Sequence, residues 1–462
     1  MVRWAVVFAL LVTPASAQPL TSPERDQIDR GVLAILEATG APSASVAIVR
    51  GADIVYEHAY GNARINPQKA ANPSMRYAIG SVSKQFTATA ILLLVEDGKL
   101  SLDDKVAKWL PELTRASEIS LRQVLSMTSG YQDYWPQDYV VPDMQRPATA
   151  QTIMQRWAAK PLDFDPGATW QYSNTNYVIA GAVVERVAGT RLMDFLHQRV
   201  FSRLAMTSVS DFDAGPLGPD DAGAYLRNAL GPLRPAPKEA SGWLFGAGQL
   251  AMTARDLARW DLAVINQSVL RPASYKTQQS EVLLTSGNTT SYGLGVSISA
   301  PGGRRRISHG GAVSGYTTSN NVYPDDRAAI VVFTNIDPGA SGASDQIAER
   351  IANVIFAPAA READGARELA RRIYDGLAQG TIDRTLLTPA AGAYFTQEVL
   401  SDFATSLAPL GSPTAFATTG DALRGGMRVR SYRIRAGNVP MSLTTITLPD
   451  GRIEQYILSR AN

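Results

Sequence analysis

The chain contains no cysteine. That excludes disulfide stapling, a thiolate zinc site and a lipid-attachment thiol, and it leaves stability to the apolar core. A dominant charge sign is missing too: 44 Lys and Arg stand against 42 Asp and Glu, for a net charge of +2. Removing Arg3, the only charge ahead of Gln18, leaves +1. So balanced a chain carries no footprint for nucleic acid or an anionic membrane surface. Long apolar runs are also lacking. The run Trp4 to Val12 is too short to span a bilayer, and no longer one follows. Placed between Arg3 and the small residues Ala15-Ser16-Ala17, it has the form of a secretory leader over residues 1–17. A periplasmic or secreted protein with no integral membrane segment after cleavage is the expectation.

What is present is ordinary globular composition, 45% hydrophobic and 19% charged over 462 residues, long enough for two domains. Ser22-Pro23-Glu24 opens a helix, and 45–50 with 55–60 reads as a hairpin. Helices follow at 81–97, 120–127, 177–187 and 254–264, with a Gly-, Pro- and Ala-rich loop over 212–240. Strands return near 292–298, 306–309, 321–323 and 329–334, and a helix over 344–355 closes the unit. This order predicts an α+β fold: one antiparallel sheet shared by both ends of residues 18–356, with helices inserted between. Ala357-Pro358-Ala359-Ala360 reads as a linker to a small α+β domain over 364–462. That domain shows a helix at 366–378 and three β-like runs at 427–435, 441–448 and 452–458. Arg428, Arg430, Arg433 and Arg435 read there as the solvated face of a strand.

Three short motifs carry the chemistry, in this order: Ser81-x-x-Lys84, Tyr172-Ser173-Asn174 and His309-Gly310-Gly311. Spacing of three puts Ser81 and Lys84 on one helix face at its N-terminus. A serine hydroxyl is a poor nucleophile without a base, and Lys84 can act as one only if burial or nearby cations depress its pKa. A phenol at Tyr172 can relay a proton between Ser81, Lys84 and a leaving group. Asn174 offers a carbonyl to Lys84 and an amide N–H to substrate. Gly310 and Gly311 leave a strand edge bare for an extended substrate, and His309 can bond Tyr172 or a substrate carboxylate. Each residue alone also fits a structural role: a helix cap at Ser81 or Asn174, a solvated first-turn lysine, a half-buried tyrosine, a satisfied strand histidine. Their joint order favours a site. No metal or cofactor is expected, and the partner is a small molecule or peptide.

With Leu125-Ser126-Met127-Thr128-Ser129-Gly130, Thr253-Ala254-Arg255-Asp256-Leu257 and Tyr292-Gly293-Leu294-Gly295 added, these stations resemble the serine β-lactamase and penicillin-binding-protein superfamily over about residues 25–355. They stand nearest its class C β-lactamases, D-aminopeptidases and esterases. The resemblance implies a β-lactamase/transpeptidase-like fold. It also implies Ser81 as nucleophile, Lys84 as its proton partner, Tyr172 as general base and acid, and Asn174 positioning Lys84 and the substrate amide. The backbone N–H groups of Ser81 and Ala312 would form an oxyanion hole. His309-Gly310-Gly311 stands where the family's β-lactamases usually place Lys-Thr-Gly, as in its peptidase and esterase branches. The implied activity is therefore that of a secreted serine hydrolase opening an amide or ester. A peptidase on short or unusual peptides is favoured, the linearised-microcystin type among them. A small-ester carboxylesterase, a class C-like β-lactamase, a slow penicillin-binding sensor and an acyltransferase are the alternatives. Oligomeric state is not readable.

Overall fold

In a computed structural model the described residues are 19–461, apart from 138, 338–341, 357–359 and 425–426. The expected leader, and most of the expected linker, lie outside the described residues. The chain divides into two compact units, Met1–Ser299 with Arg306–Ile355 and Ala300–Arg305 with Phe356–Asn462. The short stretch 300–305 thus groups with the C-terminal unit, a detail that a single boundary at 356 does not capture.

The first unit is α+β, as its element order implies. Its seven-stranded sheet runs, edge to edge, Gln68–Ala70, Asp53–Ile65, Ser43–Arg50, Ala328–Thr334, Tyr316–Tyr323, Arg306–Val313 and Ser297–Ser299. The two ends of the unit meet at the centre, where Ala44 pairs with Thr334 and Arg50 with Ala328, antiparallel. Strands Tyr316–Tyr323 and Ala328–Thr334 are buried at every position, so both faces of the sheet centre are covered. Helices Ser22–Thr39 and Ala343–Ile355 pack on each other and on the sheet, and Ala254–Asn266 packs on its two central strands. The first of these starts on a capping box between Thr21 and Glu24 and stops at Gly40 in the left-handed region, φ 68°.

Helix Ser83–Glu96 lies inside the unit, with all residues from Ser83 to Leu94 buried. Phe86 meets Trp260 and Phe201 at ring-centroid distances of 4.6 and 5.5 Å. Ser81 itself precedes this helix in a 3₁₀ turn, Gly80–Val82, rather than opening it. Near Tyr292 the expected strand is reduced to Ser297–Ser299, and within 212–240 a short hairpin pairs Tyr225–Arg227 with Leu233–Pro235.

The C-terminal unit carries helices Ala360–Ala378, Pro389–Tyr394 and Gln397–Leu407 with a four-stranded antiparallel meander. Its first strand, Ala415–Arg424, was not expected from sequence; its register slips between Thr418 and Gly420. Arg433 and Arg435 are exposed as expected, but Arg430 is 5% exposed. Its Nε donates to Asp421 Oδ2 at 3.0 Å, and Arg428 bonds the same carboxylate. Burial of a guanidinium demands that partner, and the alternating strand pattern did not reveal it.

Candidate active site

The turn Gly80–Val82 and strand Arg306–Val313 come together because glycine stands on both sides. A Cβ on Gly311 would lie 2.0 Å from the carbonyl oxygen of Ile79. Gly80 has φ +51°, and a Cβ there would lie 2.7 Å from Ala312 N. Side chains at either position would push the strand off the nucleophile turn. Gly310 has a different role from Gly311. A Cβ there would meet nothing nearer than Thr318 O at 3.8 Å, so it borders open space. Pairing with the outer strand ends at Ser308–Ser297, which leaves 309–313 as a bare edge above Ser81.

Under that edge Lys84 is fully buried and donates three hydrogen bonds: to Ser81 Oγ at 2.9 Å, Asn174 Oδ1 at 2.8 Å and the Ala247 carbonyl at 2.9 Å. Burial lowers its pKa to about 7, against an opposing pull from Asp133. As a neutral amine it keeps two N–H donors for Asn174 and Ala247 and one lone pair for the proton of Ser81. The same three oxygens accept from the ammonium, so the amine can take the Ser81 proton without leaving its cradle.

Tyr172 lies beside them, with Lys84 Nζ 5.0 Å from its ring centroid, and its phenol hydrogen-bonds Ser81. Burial raises the phenol pKa, and the Ser81 bond offsets this only in part. Lysine and tyrosine therefore shift in opposite directions. Asp133 adds to the upward shift of the phenol. In the free protein basicity resides on Lys84, and Tyr172 holds a proton.

Asn174 is the first residue of helix Asn174–Ala188. Its carboxamide is fixed from behind by Asp133, whose Oδ1 accepts Asn174 N at 2.9 Å and whose two oxygens each accept Asn174 Nδ2 at 3.3 Å. Sequence reading missed Asp133. The available signal was one carboxylate inside the aromatic stretch Tyr131 to Trp135. The Ala247 carbonyl was missed as well; glycines at 246 and 248 flank it.

His309 is 6% exposed and bonds neither Tyr172 nor open space. Its Nδ1 lies 2.5 Å from the Gly310 carbonyl oxygen and its Nε2 3.0 Å from Tyr292 Oη. A carbonyl only accepts, so Nδ1 carries the proton and Nε2 accepts from Tyr292. Burial and the nearby Lys84 hold its pKa down, to about 4, so the ring is neutral at pH 7. Its contact with Tyr172 is ring to ring, at 6.2 Å between centroids.

Ser81, Tyr172, Asn174, His309, Gly310, Gly311 and Ala312 all line one cavity of about 650 Å³, with Lys84 beneath it. Residues 133–137, 139 and 140 form one wall. Among the described residues, 212–240 contributes nothing to the lining. Instead Glu239 supports the edge strand from outside, accepting Ser314 N at 3.0 Å.

A sheet joined by both ends of the first unit, a Ser-x-x-Lys pair with its lysine buried and a facing open strand define a serine hydrolase of the β-lactamase/transpeptidase class. The chain belongs to the Beta-lactamase family, whose model matches residues 28–353. It is 29% identical to a penicillin-binding protein of Bacillus subtilis over 63% of this chain and 67% of that protein. It is also 29% identical to a D-aminopeptidase of Brucella canis over 66% of this chain; the match spans 58% of that enzyme's length. A D-stereospecific amidohydrolase from Streptomyces shares the fold, with TM-score 0.63 and 24% identity over 72% of this chain and 99% of its own.

Proposed function

We propose that this protein hydrolyses an amide bond of a short peptide or amino-acid amide through an acyl-Ser81 intermediate. The observation that carries the reading is the Lys84 cradle, which places an amine of depressed pKa 2.9 Å from the Ser81 hydroxyl. Lys84 takes the hydroxyl proton as Oγ attacks the carbonyl carbon. Backbone N–H groups of Ser81 and Ala312 receive the oxyanion, and Tyr172 gives its proton to the leaving amine as the C–N bond breaks while taking one back from Lys84, which returns to the neutral amine. Water then cleaves the ester and restores Ser81. The penicillin-binding-protein and D-aminopeptidase relatives support an amide-directed reading. Linearised-microcystin-type peptides fall within it, and small esters are expected as secondary substrates. A fluorophosphonate label with a panel of peptides, amides and esters tests it; labelling at Ser81 with fastest turnover of amides is the supporting result.

Efficient β-lactam hydrolysis is not part of this reading. Both His309 nitrogens are engaged and the ring is neutral, so it offers a β-lactam carboxylate no charge. Weak nitrocefin turnover is expected beside clear p-nitrophenyl ester turnover. His309→Lys should raise the β-lactam acylation rate by roughly tenfold or more, a gain of about 1–3 kcal/mol from a charge-assisted bond, and ester acylation by less. Parallel acylation rates for both proteins on both substrates decide it. A wild type that prefers cephalosporins to every ester and amide would make it a β-lactamase.

Export is proposed from the leader alone. Protein recovered from the native host is expected to begin at Gln18; soluble active protein retaining Met1 would refute export.

A further inference from the structure

The C-terminal unit holds a cavity of its own, of about 450 Å³, lined from helix Ala360–Ala378 and from strands Met427–Ala436 and Val439–Thr447. Residues paired across antiparallel strands share a face of the sheet. The register pairs Arg428 with Thr447, Arg430 with Thr445 and Tyr432 with Leu443. Along that face the strand therefore passes from buried Ala436, Ile434 and Tyr432 to two arginines. Apolar residues at 428 and 430 would have continued the core. Arginines there put guanidinium groups on a cavity wall instead. Among the described lining residues there are these two cations and no carboxylate.

Both arginines direct Nε to Asp421, Arg430 to Oδ2 at 3.0 Å and Arg428 to Oδ1. One guanidinium would suffice to tie that carboxylate to the neighbouring strand. Arg428 spends only its Nε: among the described residues its Nη1 and Nη2 donate to nothing, and the side chain keeps 23% exposure. Thr447, half-buried opposite it, has a hydroxyl with no side-chain bond among the described residues. Leu369, Leu448 and Ile453 give the same cavity an apolar wall. A fixed cation beside apolar surface is the chemistry that recognises an amphipathic anion.

We propose that this cavity binds an organic carboxylate with an apolar body. The carboxylate takes the two Nη donors of Arg428 and the Thr447 hydroxyl, and the body lies against Leu369, Leu448 and Ile453. A planar carboxylate matches the paired N–H groups of a guanidinium edge. Asp421 holds Arg428 from its Nε side, so less side-chain freedom is lost on binding. The proposal is independent of the acyl-serine reading of Ser81.

Calorimetric titration of the full chain compares three probes of similar size: 2-naphthoate, 2-naphthylmethylamine and 2-naphthyl phosphate. Naphthoate should bind one saturable site, and the amine about tenfold or more weakly. Arg428→Met should weaken naphthoate binding by about tenfold or more, with thermal unfolding near wild type because Arg430 still pairs with Asp421. No naphthoate binding to wild type, equal binding of the amine, or undiminished binding by Arg428→Met overturns the site. Tighter binding of the phosphate overturns the carboxylate assignment. Should Arg428→Met not fold, Thr447→Trp decides. It narrows the cavity from the end of its strand and leaves the Asp421 bonds untouched. Naphthoate binding weakened about tenfold or more in that protein supports the site, and undiminished binding overturns it.

Discussion

Ser81→Ala should abolish covalent labelling and lower kcat on the order of 10⁴–10⁶-fold, because Ser81 carries the cavity hydroxyl that Lys84 can deprotonate. The Ser81 hydroxyl accepts from Lys84 Nζ at 2.9 Å and is bonded by the Tyr172 phenol, so its loss strands both partners. The fold should survive, since Ser81 is half-buried at the cavity floor and the turn around it is set by Gly80 and the following helix. Thermal unfolding close to wild type, together with absent labelling and background turnover, is the expected combination. Near-normal turnover by a well-folded Ser81→Ala protein would mean that another nucleophile, or directly activated water, does the chemistry.

Ser81 and Lys84 were legible because the spacing of three lies within one chain segment and needs no knowledge of the rest. Tyr172 and Asn174 followed for the same reason. The sheet joined by both chain ends was legible from strands at 45–50 and 329–334 flanking a helical middle. What escaped depends on contacts far apart in sequence. Asp133 acts through Asn174, 41 residues away, and the Ala247 carbonyl reaches Lys84 across 163 residues. No side-chain pattern announces a backbone oxygen. The pKa directions of Lys84 and Tyr172 also depend on burial, which the fold around them decides, not the motif. His309 was given the wrong partner because Tyr292 approaches from a segment whose strand character is only partial. In the C-terminal unit Arg430 looked solvated because Asp421, its partner, sits on a strand whose register slip hid it.

Replacing Lys84 should cost nearly as much as replacing Ser81, and its pH profile gives the sharper test. Lys84→Met keeps the bulk of the side chain but has no basic nitrogen and no donors for Asn174 or Ala247; a loss of about 10³-fold or more in acylation is expected. Lys84→Arg can donate to the same oxygens but does not deprotonate, so it should remain impaired by about 10²–10⁴-fold. The sign of the pH effect follows from the direction of the shift. Burial depresses Lys84 to about 7, so the amine is neutral and able to accept a proton above that pH and is blocked below it. The wild-type acylation rate should therefore rise with pH through an apparent value near 7 and fall about tenfold per unit below it. A protonated tyrosine of raised pKa cannot produce such a limb. Asp133 pulls the Lys84 pKa up against burial, so Asp133→Asn should move the limb to lower pH. If the limb came from ionisation of Asp133 itself, it would vanish in that variant. Acylation of wild type, Lys84→Arg and Asp133→Asn, followed by stopped flow between pH 5 and 9, distinguishes these outcomes. A flat wild-type profile, or a limb unchanged in Lys84→Arg, would remove Lys84 from the role of base and return it to Tyr172.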